Sequence, residues 1–120
     1  MASKPKTNSI LSRDQFLTPS VETTEYVIPE LGGAVRLRSL TRQEQKDIQR
    51  EGTVDNKYDE ALGEALQIVK SMVEPELTVE DVGAIRQHKA GVVDRLLVKI
   101  AALSGYGRAS VEAAKANFRP

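Results

Sequence analysis

Residues 26–48 of the chain read YVIPELGGAVRLRSLTRQEQKDI, and this stretch decides the fold. Apolar and polar residues alternate on both sides of Gly32-Gly33, a pattern that predicts two half-buried strands. Pro29 cannot donate to a strand ladder and the glycine pair tolerates a positive φ, so the residues between the strands are expected to form a turn. A two-stranded hairpin is marginal alone. Its apolar face must therefore lie on helices, or its edge must pair with another chain.

Helical patterns follow the hairpin. Thr41 and Glu44 have the spacing of a capping box, which begins a helix, and Gly52 is suited to its end. A wider apolar stripe then predicts a central helix that begins at a cap on Asp55 and is stopped by Pro75. A stripe of this width buries two sides of a helix.

Shorter helices complete the predicted fold. Thr78 is an N-cap candidate, residues 93–103 carry apolar side chains at helical spacing, and a short closing helix presents Phe118. We predict a mainly α (α+β) fold, with an N-terminal β-hairpin followed by a small bundle of four to five helices. Residues 23–120 are expected to form this single domain and residues 1–22 a flexible N-terminal tail.

Four apolar residues interrupt the otherwise polar tail, namely Ile10, Leu11, Phe16 and Leu17. One interpretation is a short docking segment that becomes ordered on binding. The other is an ordinary tail with scattered apolar residues. We favour the second interpretation.

Composition excludes several classes of protein. The 120 residues include no cysteine, which excludes disulfides and thiolate metal sites. No apolar run approaches the roughly 18 residues of a membrane helix, so we expect no membrane partner. The net charge is zero, but residues 44–81 hold eleven acids and four bases, and residues 82–120 hold seven bases and two acids. Neighbouring helices can neutralise this asymmetry within one molecule, which we favour, or the chain can bind itself or a partner head to tail.

No group of residues predicts catalysis. His88 is the sole histidine and has neither a cysteine nor a second histidine with which to bind a metal ion. Acidic residues cluster at Glu74, Glu76, Glu80 and Asp81, but acids are expected electrostatically where a helix begins. We therefore expect no enzyme activity, no cofactor and no metal.

A helix-turn-helix is one alternative for the second half of the chain. The helices predicted on either side of residues 87–91 would offer Arg95 and Lys99 to DNA phosphates. Two bases are few for this task and the chain as a whole is not basic, so we expect no nucleic-acid partner. A small helical DNA-binding regulator, or a generic adaptor encoded by a mobile element, remains the alternative function.

The order of these motifs resembles that of tail assembly chaperones of long-tailed (siphovirus-type) bacteriophages or prophages. Residues 32–44, GGAVRLRSLTRQE, resemble the strand that leads into the first helix of that family. Residues 68–82, IVKSMVEPELTVEDV, are similar to its long helix, acidic-proline turn and next helix start. Residues 100–105, IAALSG, resemble a helix end, and residues 111–118, VEAAKANF, resemble its closing helix. The resemblance covers residues 26–118.

The resemblance implies a function without catalysis. Proteins of this family bind the phage tape measure protein in the host bacterial cytoplasm, keep it soluble and help to recruit the tail tube protein. They often occur with a longer frameshifted form of themselves and are not expected in the mature virion. Self-association is a further expectation, because contacts that do not close into a ring allow many copies to follow a long filament.

Four residues are our candidates for the partner-binding surface. Leu31 lies at the exposed hairpin turn, and Arg36 and Arg38 point away from the apolar strand face. Phe118 is the one aromatic residue near the C-terminus. We predict that exchanging both arginines for glutamate leaves the monomer folded, because exposed charges contribute little to stability.

Overall fold

The predicted hairpin is present in the computed structural model, which describes residues 9–106. Strand β1 (Thr23–Ile28) pairs antiparallel with strand β2 (Gly33–Arg38). A 3₁₀ turn over Pro29–Leu31 connects them. Gly32 closes this turn with a φ of 70°, in the left-handed region that glycine adopts without strain.

The two faces of the hairpin differ in burial as the alternation predicts. Leu37 is completely buried and lies in one cluster with Ile28, while Tyr26 and Val35 pack against it. Glu25 and Arg36 are exposed on the opposite face. The apolar face of the hairpin therefore lies on the helices, which was the first of the two expected solutions.

A third strand replaces the end of the predicted central helix. Helix α3 (Glu60–Ser71) ends before the position expected from Pro75, and strand β5 (Met72–Glu74) pairs antiparallel with β2. The sheet order is β1-β2-β5. The residue before a proline avoids the helical region, and the Ser71 hydroxyl donates to the carbonyl of Arg38 at 2.5 Å, which joins the helix end to β2. The predicted helix boundary is therefore wrong.

The start of the central helix is also later than predicted. Asp55 does not cap it; instead β3 (Thr53–Val54) and β4 (Lys57–Tyr58) form a small hairpin around Asp55 and Asn56. Both turn residues have positive φ, of 53° and 67°, and short polar residues tolerate this conformation best after glycine. The helix cap is Asp59, whose carboxylate accepts a backbone N–H of the first turn.

Helix α2 (Arg42–Glu51) has the predicted cap. The Thr41 hydroxyl accepts the backbone N–H of Glu44, and the Glu44 carboxylate accepts the backbone N–H of Thr41. Ile48 is the buried residue of this mostly polar helix. The helix packs against α3, and the capping-box prediction is confirmed.

Two helices follow the sheet. Thr78 caps a 3₁₀ turn (Val79–Asp81) that continues into the short helix α4 (Val82–Arg86). Helix α5 (Ala90–Ala101) follows a break that is shorter than predicted, and it ends in a π turn (Ala102–Tyr106). Both α4 and α5 pack against α3. Helices α4 and α5 therefore lie beside part of the acidic stretch, but no ion pair among residues 9–106 joins a base of residues 82–106 to an acid of residues 44–81. Neutralisation within one molecule stays a prediction.

The core lies between the sheet and these helices. Its buried cluster comes from β1, β2, α3 and α5 and consists of Ile28, Leu37, Ile68, Val92, Leu96 and Ile100. Burying one such side chain contributes roughly 1.5–3 kcal/mol, so this cluster is the main stabilising unit. Helices with a small antiparallel sheet agree with the predicted α+β class.

The N-terminal part contains one more element. Helix α1 (Arg13–Leu17) begins at Ser12 with a complete capping box and buries none of its residues. The division of the chain at residue 22 stays a prediction. The predicted closing helix near Phe118 lies outside the described residues.

Candidate partner-binding site

An apolar groove of about 280 Å³ opens between the hairpin tip, the Pro75 turn and helices α4 and α5. Its floor is the inner face of the sheet and the core cluster. Twelve of its fourteen lining residues are apolar, so the groove offers contact to hydrocarbon and few hydrogen bonds. The apolar residues are Ile28, Leu31, Val35, Ile68, Met72, Pro75, Leu77, Ala84, Ile85, Val92, Val93 and Leu96.

Leu31 forms the rim of this groove on the hairpin side. Its side chain is 56% exposed, although it lies on the 3₁₀ turn next to buried Ile28. Ala84 and Pro75 are exposed rim residues on the other side. Leu31 is therefore exposed, as predicted, and it adds apolar surface to the rim of the groove.

An ion pair fixes the hairpin tip over helix α5. The Arg95 guanidinium contacts the Glu30 carboxylate, and it also donates to the carbonyl of Gly91 at 3.1 Å. A hydrogen bond that the carboxylate accepts from its own residue's backbone N–H, and then the Arg95 contact, lower the pKa of Glu30 below its ordinary value. Because the pair is exposed, it adds little to the free energy of unfolding. It connects the hairpin tip, which carries Leu31, to helix α5.

Charges of opposite sign flank the groove. Glu76, Glu80 and Asp81 lie along the Pro75 turn and the start of α4, and the Asp81 carboxylate accepts the backbone N–H of Thr78 at 2.7 Å. His88, a lining residue, and Lys89 lie at the start of α5. A segment bound here therefore meets an acidic side and a basic side, which favours one orientation.

Arg36 lies on the outer face of the sheet, as predicted. Its guanidinium is 3.2 Å from a Glu74 oxygen on β5 and 3.8 Å from a Glu25 oxygen on β1. The three charged side chains form a row across the strands. All three are largely exposed, so the row leaves Arg36 accessible to a partner.

Arg38 has a structural task that the sequence interpretation missed. Its guanidinium binds both oxygens of the Glu44 carboxylate, at 2.9 and 2.5 Å, and is only partly exposed. The Arg38 hydrogen bonds lower the pKa of Glu44 and raise that of Arg38. The pair joins β2 to α2. Arg38 is therefore held by its neighbour and is a poorer contact residue than Arg36.

The bases expected for DNA binding are not presented together. Arg95 is engaged with Glu30, and Lys99 is half-buried on α5. Helix α4, the first helix of the supposed motif, has five residues. Phe118, the fourth candidate partner residue, lies outside the described residues.

Two features of the site were missed from sequence. The groove was not expected, because its two walls are far apart in the chain and are brought together by strand β5. Helix α1 carries a readable signal, since Ser12 and Gln15 have capping-box spacing and Leu11 and Phe16 occupy the two positions of a hydrophobic staple.

Residues 9–106 contain no group of three or more His, Asp or Glu side chains that is placed to hold a metal ion. The same residues contain no helix that is both long and apolar enough to cross a membrane.

Comparison with known proteins gives no assignment. No protein-family model, curated protein or solved structure matches the chain.

Proposed function

We propose that the chain is a non-catalytic phage tail assembly chaperone that binds the tape measure protein and helps tail tube assembly. The observation that carries this proposal is the apolar groove with its exposed rim residue Leu31. The resemblance of residues 26–118 to tail assembly chaperones supplies the partner.

The chemistry of the groove suits one face of an apolar helix. A tape measure protein is long and helical, and its apolar stripes are exposed before assembly. Two or three Leu or Ile side chains in the groove contribute roughly 1.5–3 kcal/mol each when they leave water. The charged flanks of the groove then orient the segment, because its ends meet opposite signs. Binding of this kind requires no reaction, cofactor or metal.

The proposed setting follows from the same resemblance. The chaperone acts in the host bacterial cytoplasm, where free tape measure protein is synthesised, and it leaves before the virion is complete. A longer frameshifted form of the chain and the tail tube protein are proposed as further partners. A tape measure gene directly downstream of this gene, with a slippery site near the gene's end, would support the assignment.

Co-expression with the tape measure protein from the same genome tests the proposal. The native chain is expected to keep the tape measure protein soluble and to co-purify with it. Leu31→Asp puts a charge on the apolar rim and is expected to weaken binding about tenfold or more. Val98→Asp is the matched control, because Val98 is 69% exposed on α5 and does not line the groove.

The outcomes separate the proposal from its alternatives. If Leu31→Asp and Val98→Asp weaken binding equally, or if Leu31→Asp does not weaken it, the groove is not the binding site. Absence of any complex with the native chain would refute the chaperone function. A DNA-binding regulator predicts salt-dependent DNA affinity that falls when Arg95 and Lys99 are exchanged for alanine.

A further inference from the structure

Helix α1 has a defined shape, but none of its residues is buried by the part of the chain that the structure describes. Both hydrogen bonds of its capping box are present, with Ser12 N–H donating to the Gln15 side chain at 2.8 Å and Gln15 N–H donating to the Ser12 hydroxyl at 3.1 Å. Its apolar residues Phe16 and Leu17 are 74% and 54% exposed, and Ile10, which precedes the helix, is 94% exposed. Ordering this segment costs conformational entropy, which capping alone offsets only in part. A segment of this kind is suited to docking.

The groove of the same molecule is not occupied by this helix. None of the α1 residues is buried, and none of them lines the groove. Glu22, which follows the helix, is tied to Ser39 by two hydrogen bonds, of 3.0 and 2.8 Å, at the end of the hairpin opposite its tip. The groove is therefore accessible to a segment of another molecule.

Charge complementarity favours a second copy of this chain. Residues 1–17 hold three bases, Lys4, Lys6 and Arg13, and one acid. Asp81 lines the groove on one side, Glu76 and Glu80 are its neighbours in the chain, and residues 74–81 include no base. The N-terminal segment thus brings positive charge and apolar side chains to a groove that is apolar and acidic along one side.

We propose that α1 of one copy docks in the apolar groove of a second copy. The N-terminal end of the helix, which Lys4, Lys6 and Arg13 make basic, is towards the acidic side of the groove. The two surfaces differ, so each copy offers one helix and one groove. Such contacts either close as a reciprocal two-fold dimer, in which each helix occupies the groove of the other copy, or extend into chains or larger rings. The inference does not rest on the proposed function, because self-association is measured without any tape measure protein. If both are correct, the tape measure protein and α1 compete for the groove.

Sedimentation of the full chain over a wide concentration range tests the inference. The average mass of the native chain is expected to rise with concentration to twice the monomer mass or beyond. Phe16→Asp with Leu17→Asp is expected to stay monomeric and to unfold like the native chain, because α1 buries nothing. Val98→Asp is expected to associate like the native chain. A native chain that stays monomeric at all concentrations overturns the inference.

A mixing experiment tests the pairing itself. The variant with Phe16→Asp and Leu17→Asp keeps its groove, and Leu31→Asp keeps its helix; each is expected to be monomeric alone. Mixed together, they are expected to form a heterodimer of twice the monomer mass that grows no further. A mixture that stays monomeric, or association of the helix variant by itself, contradicts the docking of α1 in the groove.

A charge exchange tests the orientation. Glu76→Lys with Glu80→Lys is expected to weaken association several-fold, and so is Lys4→Glu with Lys6→Glu. The four changes combined are expected to restore association, and the native contact is expected to weaken as salt rises. A combined variant no better than the single pairs contradicts the proposed orientation.

Discussion

Glu44 has two tasks where the hairpin joins α2, and a pair of substitutions separates them. Its carboxylate accepts the Thr41 backbone N–H, which completes the capping box, and it binds the Arg38 guanidinium with both oxygens. Glutamine keeps the first task, because its carbonyl oxygen can accept the same N–H. Its amide group faces the guanidinium, so donor meets donor and the charge is lost. Alanine removes both tasks.

The expected magnitudes follow from the exposure of the pair. Arg38 and Glu44 side chains are 28% and 24% exposed, so their bidentate contact lies between a surface pair and a buried one. We expect Glu44→Gln to lower the free energy of unfolding by about 1 kcal/mol. Glu44→Ala is expected to cost about 1 kcal/mol more through the lost cap. Glu51→Gln is the control on the same helix. Its single-oxygen pairs, at 3.5 Å with Lys70 and 3.8 Å with Arg50, are longer than the Arg38 contacts and predict a smaller change.

The pH dependence has a definite sign. Arg38 lowers the pKa of Glu44 in the folded chain below its ordinary 4.5. The ionised carboxylate therefore contributes its stability above this ordinary value, and the contribution is lost as pH falls through the lowered pKa. Urea unfolding at pH 7 and at about pH 3 measures the effect. Equal destabilisation by glutamine and alanine, or a native-to-glutamine difference that persists at low pH, would refute this account of the junction.

Three further predictions concern other contacts. Leu37→Ala empties a completely buried position on the central strand and is expected to cost about 2–5 kcal/mol in urea unfolding; a cost below 1 kcal/mol would contradict the position of the core. A Cβ on Gly63 would collide with the Tyr58 hydroxyl oxygen, so Gly63→Ala should destabilise the native chain but stabilise a Tyr58→Ala variant by up to about 1 kcal/mol. A change of the same sign in both backgrounds would contradict this contact. Ser12→Ala should reduce helical circular dichroism slightly and leave the thermal unfolding midpoint unchanged, whereas a lower midpoint would mean that α1 packs on the domain.

The local features of the fold can be predicted from short sequence patterns. Alternation around Gly32-Gly33 predicts the hairpin, and the spacing of Thr41 and Glu44 predicts the start of α2, because both patterns depend on neighbouring residues. The cap at Thr78 is correct for the same reason, although its first turn is 3₁₀. Such patterns predict backbone hydrogen bonds between residues that are close in sequence.

The features that depend on distant partners were not predictable in this way. Met72–Glu74 continue the apolar pattern of α3, and only the free edge of β2 makes them a strand. The partner of Arg38 lies six residues ahead and depends on how α2 leaves the sheet, so Arg38 looks like a free charge in sequence. Asp55 is a different case. Asp-Asn is typical of a two-residue hairpin turn, so this turn could have been predicted from sequence, whereas the helix cap predicted at Asp55 is wrong.

The groove is the least predictable part of the site. Its walls come from a turn near Leu31 and from helices beyond Pro75, and their approach depends on β5 and on the contact of Glu30 with Arg95. The exposed position of Leu31 is readable from the turn sequence. The apolar surface next to it is a property of the assembled fold.

Methyl NMR of the native chain with a purified segment of the tape measure protein tests the central claim most directly. The methyl signals of Leu31 and Ile85, which line the groove, are expected to shift on binding. Ile48 is the buried residue of α2 and does not line the groove, so its methyl signal is expected to stay unchanged. Binding that leaves the groove methyls unchanged, or no binding at all, would contradict the account.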